Sequence, residues 1–349
     1  MQRVRTALPT IPFSGEAPTV EDRLLWALWL SPTWLPSVTA ADELGLFDRL
    51  ADGKSATAEQ LATSLELAPR ATRALLGLLS ALGLLQQNAG AFALTETSRA
   101  YLVSSSPFYW GPAMLPHKIV PMSHAQILEA LRRDHAGGNT DAAAMWKAPD
   151  PAALRMFTSV MHAHSLPTAS ALARNGVFAG IRRLLDVGGG SGAYSVSFAL
   201  RHPALQCTIL ELPAMTAITD EYLATTPTGG HVRSHAADMF NDAWPAGHDA
   251  VFFNDVFHDW PQAQCQALAR KAFDALPSGG QVLLHEMLLD EGLDGPLPAA
   301  AYSMMMLVAT PGRQLSGTEA LALLTEAGFV ETKILPTVGH YSLVSGRKL

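Results

Sequence analysis

Leu184-Leu185-Asp186-Val187-Gly188-Gly189-Gly190-Ser191-Gly192 is the stretch whose reading decides the fold. A short apolar run of strand length enters a turn that is nearly all glycine, and an amphipathic segment, 194–202, follows it. Glycines at such a turn let the backbone adopt positive φ and let a ligand approach the main chain. The spacing Gly188-x-Gly190-x-x-Ala193 satisfies the dinucleotide fingerprint nominally, and Glu211 falls near the position of its ribose-binding acid. Two details point elsewhere. Asp186 stands directly before the turn, where a pyrophosphate gains nothing from a second anion but an ammonium group does. Glycines at 188, 190 and 192 also fit an Asp-x-Gly-x-Gly-x-Gly loop better than the dinucleotide spacing. S-adenosylmethionine (SAM), with ribose hydroxyls for Glu211 and a zwitterionic methionine end for the loop, meets both conditions.

Outward from the loop, apolar strands at 183–187, 207–212, 249–254 and 281–287 alternate with helices at 194–202, 214–224 and 261–276, and 340–346 closes the chain as a strand. That alternation predicts an α/β fold with a doubly wound, mostly parallel sheet. Upstream the pattern is helical. Segments 21–30 and 39–50 are apolar at helical spacing, with Gly45 tolerated inside the second. Thr57 and Gln60 fit a capping box. Pro69 opens a helix over 70–85, and 86–94 reads as a small ribbon. Helix, turn, helix and ribbon outline a winged helix, whose usual partner is DNA. Residues 40–104 carry five basic and seven acidic side chains, however, and the candidate recognition helix offers only Arg70 and Arg73. Phosphate contacts dominate DNA affinity, so dimerisation is the expected role. The expected domains are a dimerisation unit over 1–108 and a SAM-binding catalytic unit over 109–349, with 109–180 a helical lead-in to the substrate pocket.

The 349 residues are 48% hydrophobic and 16% charged, with 24 Lys+Arg against 31 Asp+Glu and a net charge of −7. This excludes a disordered chain and argues against a polyanionic partner. Two cysteines suit a reducing cytoplasm. The first nine residues have no apolar run behind their arginines, so no secretory signal is expected, and no apolar stretch is long enough for a membrane span.

Asp186 to Gly192, Thr208-Ile209-Leu210-Glu211-Leu212-Pro213, Ala237-Asp238-Met239-Phe240, and Asn254-Asp255-Val256-Phe257-His258-Asp259-Trp260 occur in this order, followed by 312–329. Together they resemble the SAM-dependent O-methyltransferases of the plant caffeate and bacterial antibiotic-tailoring type, over nearly the whole chain. The resemblance implies a homodimer and a SAM site of Asp186, Gly188, Gly190, Gly192 and Glu211, with Asp238 by the adenine amino group and Met239 on its ring. It implies His258 as general base with Glu286 as its partner acid. A second acid belongs within 312–315, where this chain has Gln314. The cation some members carry near the SAM carboxylate is Asn254 here. Phe157, Met161, Tyr302, Met305 and Met306 fall where the family lines its substrate pocket.

The chemistry is coherent. Methyl transfer from SAM needs an oxygen nucleophile in line with the methyl group. A phenol, pKa about 10, facing an ordinary histidine, about 6.5, leaves proton transfer uphill by roughly 4.8 kcal/mol. A dry site beside the sulfonium narrows that gap. The expectation is O-methylation of a phenolic or enolic hydroxyl of a small secondary metabolite, without metal. The alternatives are C- or N-methylation, including a keto-acid C-methyltransferase whose metal-held enolate would use His258, Glu286 and His340, and a SAM-binding winged-helix regulator.

Overall fold

The computed structural model describes residues 17–119, 122–133 and 150–349; the first nine residues lie outside these. Near the N-terminus β1 (Ser55–Thr57), β2 (Leu85–Asn88) and β3 (Ala91–Leu94) form a small antiparallel sheet in the order β1-β3-β2. It packs with helices Trp34–Glu43, Ala58–Ser64 and Pro69–Ala81 around Leu46, Phe47, Leu61, Leu76, Leu79 and Leu94. Thr57 accepts a hydrogen bond from Gln60 N while the Gln60 side chain accepts from Thr57 N, so the predicted capping box forms. Gly45 is not tolerated inside a helix. It takes φ +69° and splits the expected 39–50 element into Trp34–Glu43 and Leu46–Arg49, because a left-handed residue ends the helical ladder. The helix from Pro69 stops at Ala81, earlier than read. Gly83, at φ +75°, turns the chain so that Leu85 starts β2.

The second part is a seven-stranded sheet ordered β6-β5-β4-β7-β8-β10-β9. Its strands are β4 (Arg183–Val187), β5 (Gln206–Glu211), β6 (Val232–Ala236), β7 (Ala250–Asn254), β8 (Gln281–Met287), β9 (Val330–Pro336) and β10 (Tyr341–Arg347). The strands β4 to β8 run parallel, and β10 is antiparallel to both β8 and β9. Burial runs on without alternation along the inner strands because both faces are covered. Along β7, Val251 and Phe253 enter one core while Ala250 and Phe252 enter the other, and β8 divides Val282 and Leu284 from Leu283 in the same way. The chain winds outward from β4 through β5 to β6, then returns to β7 on the other side of β4. This reversal opens a crevice beyond the carboxyl ends of β4 and β7, where ligands bind in such sheets.

A 22-residue helix, Pro151–Leu172, crosses this end and packs on helices Ala193–Arg201 and Gly111–Ile119. Asp150 caps it, accepting from Ala152 N and Ala153 N. Among the described residues no helix is long and apolar enough to cross a membrane.

Candidate active site

The end of β7 builds the centre of the site. After Asn254 the backbone reverses at Asp255, φ +51°, and enters the short helical turn Phe257–Asp259. Phe257 is fully buried edge-on to Phe253, 5.0 Å between rings, and pins the turn to the core. His258 thereby faces inward, 3% exposed. From the neighbouring strand, Glu286 spends Oε1 on the backbone N–H groups of Val256 (3.1 Å) and Phe257 (3.0 Å). Its Oε2 lies 3.2 Å from His258 Nδ1. One carboxylate thus shapes the turn and holds the imidazole. Asp255 Oδ1 is 3.8 Å from the same nitrogen, and Asp259 Oδ1 is 3.6 Å from Nε2. Burial alone would push the imidazole down. The nearby charge of Glu286, helped by those of Asp259 and Asp255, overrules it and raises His258 to about 10. Tyr302 stands edge-on to the ring at 5.2 Å. Behind it the chain passes with no side chain at all: a Cβ on Gly312 would run into the His258 carbonyl oxygen and the Trp260 nitrogen.

The metal-holding trio considered from sequence does not assemble. His340 is exposed beside β10, and the groups that gather at His258 are Glu286 and Asp255.

At the glycine loop, Gly188, Gly190 and Gly192 take φ of +73°, +53° and +79°. A Cβ at Gly190 would meet nothing within 4 Å, so the loop faces open space there. Asp186, expected to meet an ammonium group, is only 1% exposed. Its carboxyl accepts from Ser195 Oγ at 2.6 Å and lies under Gly189, so it ties the turn to the following helix. Burial pushes it up to about 6. Glu211 ends β5 half-buried, and desolvation pushes its carboxyl up to about 7. Oε2 accepts from Leu212 N at 3.2 Å, which leaves acceptor capacity for ligand hydroxyls. A bare, left-handed loop beside a desolvated acid fits a nucleoside carrying a ribose diol.

An O-methyltransferase domain model matches residues 130–330, more than half of the chain, and an O-methyltransferase dimerisation domain model matches 36–104. The chain belongs to the SAM-dependent O-methyltransferase family. The 3-hydroxy-5-methyl-1-naphthoate 3-O-methyltransferase of Streptomyces sahachiroi is 35% identical over 95% of each chain. The N,N-dimethyltransferase OxyT of Streptomyces rimosus is 30% identical over 90% of this chain and 92% of its own. Among solved structures, the S-adenosylmethionine-dependent methyltransferase SibL in its apo form superposes with a TM-score of 0.78 at 28% identity, covering 94% of this chain and 99% of that one.

In this O-methyltransferase the remaining expected SAM residues line the same side of the sheet. Asp238 accepts from Phe240 N (2.8 Å), Asn241 N (3.3 Å) and Asn241 Nδ2 (2.7 Å), so its carboxylate also closes a turn. Burial alone would raise it, and these bonds hold it low instead. Met239 packs partly buried against the core, and its carbonyl accepts from Trp244 Nε1 at 2.9 Å. Asn254 carries no charge to a carboxylate. It donates to Asp255 Oδ2 (3.0 Å), and its Oδ1 pairs with His285 Nδ1 (2.8 Å). Tyr302, Met305 and Met306 share one face of the helix Leu297–Ala309, with Tyr302 against the base. Met161 is half-buried on the long helix, whereas Phe157, one turn earlier, is 38% exposed at the surface.

Sequence reasoning placed Phe157 and Met161 of that helix at the pocket but missed its two histidines. His162 Nδ1 meets Ser191 Oγ of the glycine loop at 2.9 Å, and His164 Nε2 meets the Tyr341 hydroxyl at 3.3 Å. The histidines stand two apart on a helix with no motif to mark them. Asp255, in contrast, lay inside the quoted motif and was passed over. A non-glycine residue at a forced left-handed turn is not visible in residue spacing.

Proposed function

We propose that this enzyme methylates a phenolic or enolic hydroxyl of a small aromatic metabolite, with His258 as general base and Glu286 as its positioning acid. The observation that carries this reading is the buried ion pair of His258 Nδ1 with Glu286 Oε2 at 3.2 Å. It fixes the ring and supports positive charge on it, so that Nε2 can take a proton. When bound, SAM supplies a methyl group on a positively charged sulfur. Gly188, Gly190 and Gly192 would take its methionine end, with Asp186 bracing their turn from beneath. Glu211 would take the ribose hydroxyls, and Asp238 and Met239 the adenine. Asn254 would contact the carboxylate side without a charge. Tyr302, Met161, Met305 and Met306, with Phe157 at the mouth, would wall an apolar acceptor pocket suited to a flat ring. The hydroxynaphthoate in the name of the 35%-identical relative supports a fused hydroxylated aromatic as the acceptor class. We further propose that the chain divides near residue 108 and works as a homodimer.

The test is incubation with methyl-labelled SAM and a panel of hydroxynaphthoates, simple phenols, β-keto acids and aromatic amines, with product masses and fragmentation locating the methyl group. Label on oxygen is the expected result. Label only on nitrogen or carbon would overturn the assignment of the acceptor atom.

A further inference from the structure

Three polar atoms meet in the interior beside the base, each buried and without a hydrogen bond of good geometry: His258 Nδ1, Glu286 Oε2 and Asp255 Oδ1. They come from groups lying within 4.8 Å of one another. We propose that Asp255 is a second positioning residue for His258, its carboxylate and that of Glu286 together orienting the ring through Nδ1. This rests on the reading of His258 as the base.

The geometry around Asp255 is built to aim one oxygen. Oδ2 is held by the Tyr341 hydroxyl at 2.9 Å and by Asn254 Nδ2 at 3.0 Å. Oδ1 is left toward His258, 3.8 Å from Nδ1. The holders are themselves fixed from three other elements. Tyr341, on β10, stacks on His285 of β8 at 4.8 Å and meets His164 of the long helix. His285 in turn holds Asn254, and its Nε2 is paired with Thr337 Oγ1 at 2.9 Å.

A turn that needed only a left-handed residue would be served by glycine or asparagine, without burying a charge. Aspartate at φ +51° bears both backbone strain and desolvation, which persist where surroundings over-determine them, as at functional sites. Gln314, where the second acid was expected, is fully buried with neither amide atom hydrogen-bonded, and it brings no charge to the imidazolium. The titratable groups facing His258 are Asp255 and Asp259 from its own turn, Glu286 from β8 and Tyr302 from the helix Leu297–Ala309. Tyr341, His164 and His285 act on it through Asp255. Removing the Asp255 charge leaves two acids.

The experiment is a ¹⁵N-histidine NMR titration of the full chain with S-adenosylhomocysteine bound, the His258 signal being identified by its loss in His258→Ala. In Asp255→Asn, which keeps the shape and tolerates the left-handed turn, the His258 midpoint should fall by about one pH unit, the lower end for a lost charge partner at this range. With an active hydroxyaromatic acceptor, the limiting kcat reached at high pH, where the ring is unprotonated in both enzymes, should fall roughly tenfold because the ring is less well oriented and less basic, while acceptor KM and S-adenosylhomocysteine affinity stay within about twofold. An unchanged midpoint together with wild-type kcat would overturn the proposal. Should Asp255→Asn fail to bind S-adenosylhomocysteine, Tyr341→Phe decides, because it keeps the carboxylate and removes its anchor. A lowered midpoint with a reduced high-pH kcat then supports the proposal, and wild-type behaviour overturns it. The base reading fails separately, through full activity of His258→Ala. A shifted midpoint in Asp255→Asn would then still show that Asp255 seats the ring.

Discussion

A phenol and an ordinary imidazole differ by about 3.5 in pKa, roughly 4.8 kcal/mol of uphill proton transfer. The acids around His258 raise it to about 10, which removes most of that gap before any donor binds. The consequence is a pH profile. With the ring protonated below its pKa, turnover on a phenol should climb through neutral pH and keep climbing beyond 8. The positive sulfonium lowers the apparent midpoint below about 10, since like charges repel. His258→Ala should lose about 10²–10⁴ in kcat at neutral pH and retain SAM affinity. Chelators should leave the wild-type rate unchanged. Full turnover of that variant on a phenol of pKa about 10 would remove the base from the mechanism.

A second residue has its own pH signature. Glu211 sits near pKa 7 without ligand, and ribose hydroxyls donating to it favour the ionised form. Binding of S-adenosylhomocysteine should therefore strengthen as pH rises through about 7 and level off above it. Glu211→Gln should flatten that part of the curve, leaving a weaker dependence near 6 from Asp186. Calorimetry from pH 5.5 to 8.5 measures both, and an equally steep curve in the variant would sink the assignment.

At the scale of elements, the base depends on a segment that carries no chemistry of its own. Between Ala309 and Ser316 the chain threads behind His258. There Leu289 N donates to Leu315 O at 2.9 Å and Gly312 lies against the base's own backbone. Gly312→Ala should displace the turn, costing about 1–3 kcal/mol of stability by overpacking and lowering kcat with it. Thermal unfolding and steady-state kinetics check this, and an unperturbed enzyme would mean the segment moves freely. The segment also marks where sequence reading stops. The inner strands β4, β5, β7 and β8 were legible because burial on both faces makes them mostly apolar, with pairs such as Leu184-Leu185, Ile209-Leu210, Phe252-Phe253 and Leu283-Leu284 side by side where a half-exposed strand would alternate. β6, Val-Arg-Ser-His-Ala, and β9, Val-Glu-Thr-Lys-Ile-Leu-Pro, were not, since edge strands half in water carry polar side chains that mimic loop. In the site, His258, Glu286 and the loop glycines stood out through motif position. Asp255 and Tyr341 are 86 residues apart and meet only because β10 inserts antiparallel beside β8.

For the whole molecule, the decisive surface is at the N-terminal end. The helix Arg23–Leu30 has no buried residue. Leu24 and Trp29 are each 70% exposed, Leu25 66%, and Trp26, Leu28, Leu30 and Trp34 add to the same region. A monomer rarely keeps so many large apolar side chains in water on one short stretch. The patch directly precedes residues 36–104, which match a dimerisation domain. A closed two-fold dimer hides such a patch on both copies with one self-complementary contact. Light scattering should therefore give twice the 37.2 kDa chain mass at micromolar concentration. Leu25→Glu with Trp29→Glu should shift the enzyme toward monomer, because each buried carboxylate would need a partner the apolar face lacks. Deleting residues 1–100 should instead produce aggregation, since it uncovers the surface against which that unit packs. A single species of chain mass for the intact enzyme, unchanged by the double substitution, would show that the apolar helix serves something other than self-association.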